Sequence, residues 1–444
     1  MGAQNVTLAC ELEYVYQAIE THGQVGLQVW LDRFVLALNR SRFSLCEKLL
    51  LEARRSNTFV DTEQGTAIVA HSEGLLRVSQ ARWDEAETCY QRALSIYQQL
   101  DDLYNMAQML NNLGEIHRLR GRYDEAIRYY TASQRAHGEL GDSKGLAQVH
   151  NNLGLAYQSK GDWADAEGCF ERALALFTQA GNEVEIARAL NNLARLYRDR
   201  GKWERALEYT QDAVQRFRQL GDRYGLSTAL NNLGALHRER GDHDLAATCY
   251  EESLELAWEI GDHAGAAHML NNLGELHRYA EGYNAALDYY QGALDIGHEL
   301  NERQVLGTVT NNIGLAHGGL GKWAEAVRWY EQSLAFKKNL GDLHGRAITL
   351  NNLGVAYEQL GQLDRVQACY EEAIALFKQV GDRVSASSVL INLSQPPVAQ
   401  RMSLKQRLAY LDEAKALLTG TDAQERRALI SQLRARSGSE GRGH

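Results

Sequence analysis

Between Leu110 and Arg118 the chain reads Leu-Asn-Asn-Leu-Gly-Glu-Ile-His-Arg, and the Asn-Asn pair at 111/112 returns at 151/152, 191/192, 231/232, 271/272, 311/312 and 351/352. Seven occurrences at a fixed spacing of forty residues constrain the fold more than any other feature of the sequence. A unit so short cannot bury its own apolar face, so it must lend that face to the next copy, and the copies stack. The period overrides the expectation of about three domains that 444 residues would otherwise carry.

The unit is predicted to be helical. Pro396 and Pro397 are the only prolines, which leaves the rest of the chain without the residue that most reliably stops a helix. Gly141, Gly181, Gly221, Gly261, Gly341 and Gly381 suit the left-handed position that ends a helix. Asp142, Asn182, Asp222, Asp262, Asp342 and Asp382 follow as N-caps of the next helix, and Asn301 and Glu302 replace the pair once. A second glycine, at 121, 161, 201, 241, 321 and 361, closes the first helix of each unit a few residues before Tyr123, Trp163, Trp203 or Trp323 anchors the second. Each unit therefore reads as a hairpin of two helices of about five turns, marginal alone and stabilised by stacking.

Regular units fill 102–381. Before them, 30–101 holds two degenerate hairpins, with helices predicted over Trp30–Leu38, Phe43–Arg55, Thr66–Gln80 and Trp83–Leu100 and a loop or soft joint at 56–64. Residues 1–29 are expected to be a helical lead-in, where Leu12, Tyr14, Val15 and Ile19 suggest a short helix. After them, 382–436 holds a degenerate unit and closing helices at Leu404–Leu418 and Gln424–Arg436 that cover the last apolar face, and 437–444 is expected to be a disordered tail.

Within the unit 142–181, Leu153, Gly154 and Tyr157 share one face of the first helix, while Ala166, Phe170 and Ala173 face back from the second. Gly154 and Ala166 permit close approach, and Tyr157 and Phe170 fill the gaps. This set resembles the tetratricopeptide repeat family, over about residues 30–419 and most specifically over 102–381. The period is longer than the family's usual value of about thirty-four, and the family's proline between units is missing. Longer hairpins without that proline resemble the repeats of kinesin light chains, of cell-polarity scaffolds and of the C-terminal arms of bacterial signal-transducing ATPases. The resemblance implies an all-α, right-handed superhelical solenoid of about ten hairpins, with a concave face that binds protein or extended peptide.

A net charge of −10 argues against a general binder of nucleic acid or of anionic membranes. No run of eighteen apolar residues exists, Leu8-Ala9-Cys10 lacks the lead of a lipoprotein signal, and Val6 stands where a myristoylation motif carries Ser or Thr. A cytoplasmic location is expected. Cys89, Cys169, Cys249 and Cys369 occupy one slot of the repeat. Equivalent slots in stacked units lie about 10 Å apart or more, beyond disulfide reach, so these are small buried thiols in a reducing compartment.

A helical wheel separates the two asparagines. With Leu113 at zero, Met109, Leu110, Gly114, Ile116 and His117 lie between about −60° and +100°, facing the core. Asn111 lies near 160°, with Gln108, Glu115 and Arg118 within roughly 40° of the outer pole, and Asn112 lies near −100°. The second series, Asn112 and Asn152 among it, is read as seam amides satisfying the adjacent unit. The first series, Asn111, Asn151, Asn191, Asn231, Asn271, Asn311 and Asn351, is read as packing against nothing in the free protein and as contacting ligand, because an amide both donates to and accepts from a peptide backbone. Its alternative is a solvated face.

Arg118, Arg188, Arg195, Arg198, Arg238 and Arg278 stand around that row, with Glu115, Glu239, Glu275 and Glu358 among them. Guanidinium groups there favour an acidic segment on the partner, but Arg118, Arg198, Arg238 and Arg278 also sit where a cation complements a helix C-terminus. A chaperone-carboxylate clamp of the family would need Asn after the family glycine, and that slot holds Glu115, Leu155, Arg195, Ala235, Glu275, Leu315 and Val355.

Signals for chemistry are poor. His117, His237, His277 and His317 share a slot with Tyr157, Tyr197 and Tyr357, which marks them as core side chains rather than a metal ladder. Gly321-Lys322-Trp323 lacks the Ser or Thr that ends a phosphate loop, and Ala316 stands at its first glycine. Neither cofactor nor metal is expected. The chain thus reads as a non-enzymatic protein- or peptide-binding scaffold. The alternative is a ligand- or partner-sensing arm acting in trans with a signalling ATPase or other effector enzyme; a hydrolase hidden in the N-terminal segment finds no motif.

Overall fold

The computed structural model describes residues 24–39, 42–55, 62–80, 82–419 and 424–440. Among these the chain forms twenty-one α-helices and one short 3-10 turn at Val398–Arg401, in two units divided after Asp222. In the first unit the helices are α1 Gln24–Asn39, α2 Phe43–Arg55, α3 Glu63–Ser79, α4 Trp83–Gln99, α5 Leu103–Leu119, α6 Tyr123–Glu139, α7 Ser143–Lys160, α8 Trp163–Gln179, α9 Glu183–Asp199 and α10 Trp203–Leu220. In the second they are α11 Arg223–Arg240, α12 His243–Ile260, α13 His263–Tyr279, α14 Tyr283–Leu300, α15 Arg303–Gly319, α16 Trp323–Leu340, α17 Leu343–Gln359, α18 Leu363–Gln379, α19 Arg383–Leu393, α20 Leu404–Leu417 and α21 Gln424–Glu440. Within each unit, successive helices pair as antiparallel hairpins, and each hairpin packs on the next.

Local chemistry sets the helix ends. The carboxylate of Asp142 accepts from the Gly145 amide at 3.0 Å, Asp262 from Gly265 at 2.9 Å, Asp342 from Gly345 at 2.8 Å and Asp382 from Ser385 at 2.9 Å, each satisfying an amide that the first turn leaves bare. The glycines predicted to end helices all have positive φ, from 64° at Gly181 to 89° at Gly161. Asn301 holds the same conformation at φ 53°, since Asn tolerates the left-handed region better than most side chains.

Hairpin closure follows the small and large residues. A Cβ on Gly154 would lie 2.6 Å from the Phe170 ring, and one on Gly274 would lie 2.5 Å from the Tyr290 ring. The hairpin of α9 and α10 inverts the arrangement: Ala194 replaces the glycine, and the small Thr210 replaces the aromatic, its hydroxyl turned back to the Ala206 carbonyl at 2.7 Å. His117 stacks on Tyr129 and His277 on Tyr289, both with centroids 5.1 Å apart, so these histidines pack against aromatic rings as their slot suggested. The core is a series of clusters, such as Ala126, Tyr130, Val149, Leu153 and Ala156, each spanning neighbouring hairpins.

At the end of the second unit, Leu411, Ala414 and Leu418 of the α20 segment and Ile430 of α21 bury against the cluster holding Val389, Leu390 and Leu393. α21 continues to Glu440, past the start of the expected tail at 437. A single glycine there costs a helix only about 1 kcal/mol, which does not stop it; 441–444 lie outside the described residues. The helix expected within 1–24 and most of the joint expected at 56–64 fall on undescribed residues as well, and α3 already begins at Glu63, capped by Thr62. Among the described residues no helix is long and apolar enough to cross a membrane, and the five described cysteines are free.

Candidate functional site

Within each unit the first helices carry their asparagines into the seams, and the two series there hydrogen-bond to one another as a ladder. In the first unit the Asn152 amide donates to the Asn111 carbonyl at 2.9 Å, and Asn192 to Asn151 at 2.8 Å. In the second, Asn272 donates to Asn231 at 2.9 Å, Asn312 to Asn271 at 2.9 Å, Asn352 to Asn311 at 3.1 Å and Asn392 to Asn351 at 3.5 Å. The second series holds the seam role expected of it. The first series does not stand bare: Asn111, Asn151, Asn191, Asn231 and Asn351 are half-buried, and Asn271 and Asn311 are buried. The wheel misplaced them because it counted only the face packed on the hairpin partner, whereas a first helix is also flanked by the first helices of neighbouring hairpins.

The ladder has a different first rung. Residues 71/72, one period before 111/112, are His-Ser, and the Asn112 amide lies 3.2 Å from the His71 Nε2. Burial pushes the His71 pKa down to about 4, so the ring is neutral and its Nε2 can accept.

Beside this rung the first unit holds a cavity of about 330 Å³, lined by His71 and Leu75 of α3, Tyr104, Gln108, Asn111 and Asn112 of α5, His137 of α6, and Asp142, Lys144, Gly145, Gln148 and Val149 at the start of α7. Most of these groups are amides, imidazoles or charges that donate or accept hydrogen bonds. Of the first asparagine series, Asn111 lines it. Tyr104 and Gln108 lie seven and three residues before Asn111 and Lys144 and Gln148 repeat those slots one period on, which is the signal by which the sequence could have found them. His71 gave no such signal, because it stands where every regular unit has Asn.

The arginines divide. Arg118 is clasped by Glu115 of its own helix, Nε to Oε2 at 2.8 Å and Nη2 to Oε1 at 2.6 Å. Arg195 reaches the Gln158 carbonyl at 3.1 Å, and Gln158 in turn donates to Asp199 at 2.7 Å. Burial pushes the Arg195 pKa down, Asp199 pulls it back, and Arg198 and Arg118 push it the same way as burial. Arg198 lies 3.3 Å from Asp199, and Arg238 donates to Glu275 at 2.5 Å. Arg278 meets no carboxylate within 4 Å among the described residues, and its guanidinium lies 4.4 Å from the centroid of the Tyr279 ring.

Five overlapping segments, 65–137, 105–179, 145–219, 185–259 and 225–299, and a sixth at 305–379 match the tetratricopeptide repeat family. The chain belongs to the tetratricopeptide repeat family. Three solved structures are similar to it in fold. The apo quorum sensor NprR from B. thuringiensis aligns with a TM-score of 0.56 at 15% identity, over 79% of this chain and 98% of that one. A Rap protein complexed with competence and sporulation factor aligns at 0.53 and 14%, over 80% and 98%. Apo RapI aligns at 0.51 and 16%, over 62% and 98%. At these identities the likeness is one of fold. A comparison with curated proteins finds no match.

Proposed function

We propose that this tetratricopeptide protein binds an extended polypeptide along its first-helix face and performs no chemistry of its own. The cavity beside Asn111 carries the reading. It sets Gln108, Gln148, Lys144 and Tyr104 around a space of about 330 Å³, enough for a few residues of chain, and offers both donors and acceptors. Side-chain amides answer a peptide backbone without demanding one sequence, and Lys144 adds preference for an acidic group. The ladder contributes by holding the first helices in register, so that the amides present a fixed spacing. The Rap protein solved with competence and sporulation factor supports a ligand-binding use of a similar fold.

The test is site-specific photocrosslinking. A benzophenone amino acid at Tyr104 should capture peptides from a randomised pool, and one at Arg128, exposed on the second helix of the same hairpin, should not. Equal capture at both positions would overturn the reading.

A further inference from the structure

Glu115, Arg118 and Tyr130 return four repeats later as Glu275, Arg278 and Tyr290, at the same slots. The two sets are wired differently. In the first unit the trio is closed on itself, with Glu115 accepting from both sides of the Arg118 fork and from the Tyr130 hydroxyl at 2.8 Å. In the second unit Glu275 is drawn elsewhere: Arg238, on the preceding first helix, donates to its Oε2 at 2.5 Å, and Asn312, on the following one, donates to its Oε1 at 3.2 Å. Two positions that differ between the sets bear on this: the one equivalent to Arg238 in the hairpin before Glu115 is Val78, which has nothing to offer a carboxylate, and Leu119 follows Arg118 where Tyr279 follows Arg278.

The diversion leaves a charge uncompensated. Arg278 has no carboxylate within 4 Å among the described residues, its Nε is buried without a hydrogen-bond partner, and its side chain faces the buried Tyr290 hydroxyl. Glu275 answers Arg238 from thirty-seven residues on; the slot that would answer Arg278 in the same way holds Leu315, and Gly318 repeats the Arg278 slot on that helix. Its charge still reaches its surroundings: burial raises the pKa values of Tyr290 and Tyr330, and Arg278 opposes the rise in both. The Tyr279 ring, exposed to solvent, lies against the guanidinium.

We propose that Arg278, backed by Tyr279 and beside Tyr290, is a subsite for a carboxylate of the bound polypeptide, and that Arg238 keeps it open by holding Glu275 away. A planar guanidinium offers two parallel N–H groups to such a group, and a half-buried position screens the pair less than open water would. This rests on the polypeptide-binding reading above and adds to it the chemistry of one position. Arg278 touches the ligand; Arg238 is a positioning residue.

The experiment uses fluorescence anisotropy on the full chain with three labelled peptide pools. In one, Asp alternates with randomised residues and the terminus is amidated; in the second, Asn replaces Asp; the third is the Asn pool with a free terminal carboxylate. The Asp pool should bind about tenfold more tightly than the amidated Asn pool, and Arg278→Gln, folded by circular dichroism, should erase the difference. Tight binding by the third pool instead would assign the subsite to a terminal carboxylate. Arg238→Val should weaken binding of the preferred pool comparably, because Glu275 would close on Arg278 as Glu115 closes on Arg118. Arg238→Val/Glu275→Gln should restore it, which a direct contact from Arg238 would not allow. Equal binding of all pools, unchanged in Arg278→Gln, would overturn the subsite and leave the polypeptide reading standing. Binding of no pool would overturn both.

Discussion

Asn312 is the most heavily used rung of the ladder and gives the sharpest test of it. Its amide donates to the Asn271 carbonyl at 2.9 Å and to Glu275 at 3.2 Å, and its carbonyl accepts from Asn311 at 3.3 Å. Asn271, Asn311 and Asn312 are 7%, 7% and 5% exposed, so water does not readily replace what a substitution removes. Asn312→Ala would strand the Asn271 carbonyl and the Asn311 amide and remove one donor from Glu275. A buried group left unpaired costs about 1–3 kcal/mol. Some of that returns if water enters the space of the lost side chain, and the expected total is about 3 kcal/mol. Asn112→Ala, which breaks one half-buried bond to His71, should cost about 1 kcal/mol. A stack of repeats need not unfold as one transition, so the loss is best measured by hydrogen exchange in α13 and α15 rather than from a single melting midpoint. Replacing both Asn271 and Asn312 by Leu removes donor and acceptor together, and should cost clearly less than the two single changes added. If the single costs simply add, or if Asn312→Ala loses no more than Ala at the exposed Asn284, the amides are not coupled and the ladder is not a stabilising device.

Other outcomes follow from particular contacts. Gly274→Ala should destabilise its hairpin by about 1–3 kcal/mol through overpacking against Tyr290, read by urea denaturation; an unchanged midpoint would mean the ring simply moves aside. His71 is held neutral when folded, with its pKa lowered to about 4 from 6.5, so the unfolded chain binds the proton first as pH falls. Stability should therefore be complete above pH 6.5 and drain away toward pH 4, by roughly 2 kcal/mol for a half-buried ring. His71→Asn, which restores the amide found in later repeats, should flatten that slope in pH-dependent denaturation. Deleting 400–444 removes Leu411, Ala414, Leu418 and Ile430 from the terminal cluster, and should produce fraying that starts in α19 and aggregation on size-exclusion chromatography. A truncated chain that stays monomeric, with α19 as protected as before, would show that those helices are not a lid.

The sequence by itself determined the hairpins, because the forces that make them act between near neighbours. An aspartate reaches the amide three residues on, a glycine turns left-handed without a Cβ, and an aromatic in one helix requires a gap in its partner, as Gly154 and Phe170 show. The repeat multiplied each signal, so family and helix boundaries could be read before any coordinates. The tertiary structure alone decided who bonds with whom across the seams. Asn111 and Asn152 lie forty-one residues apart, Arg238 and Glu275 thirty-seven, and in each case side chains of several helices compete for the same few acceptors. A wheel drawn on one helix sees none of those competitors, which is why Asn111 looked bare and is not. Glu115 and Glu275 are the same residue at the same slot of the repeat, yet Glu115 closes on its own arginine while Glu275 bonds Arg238 of the neighbouring helix, where the first set has Val78.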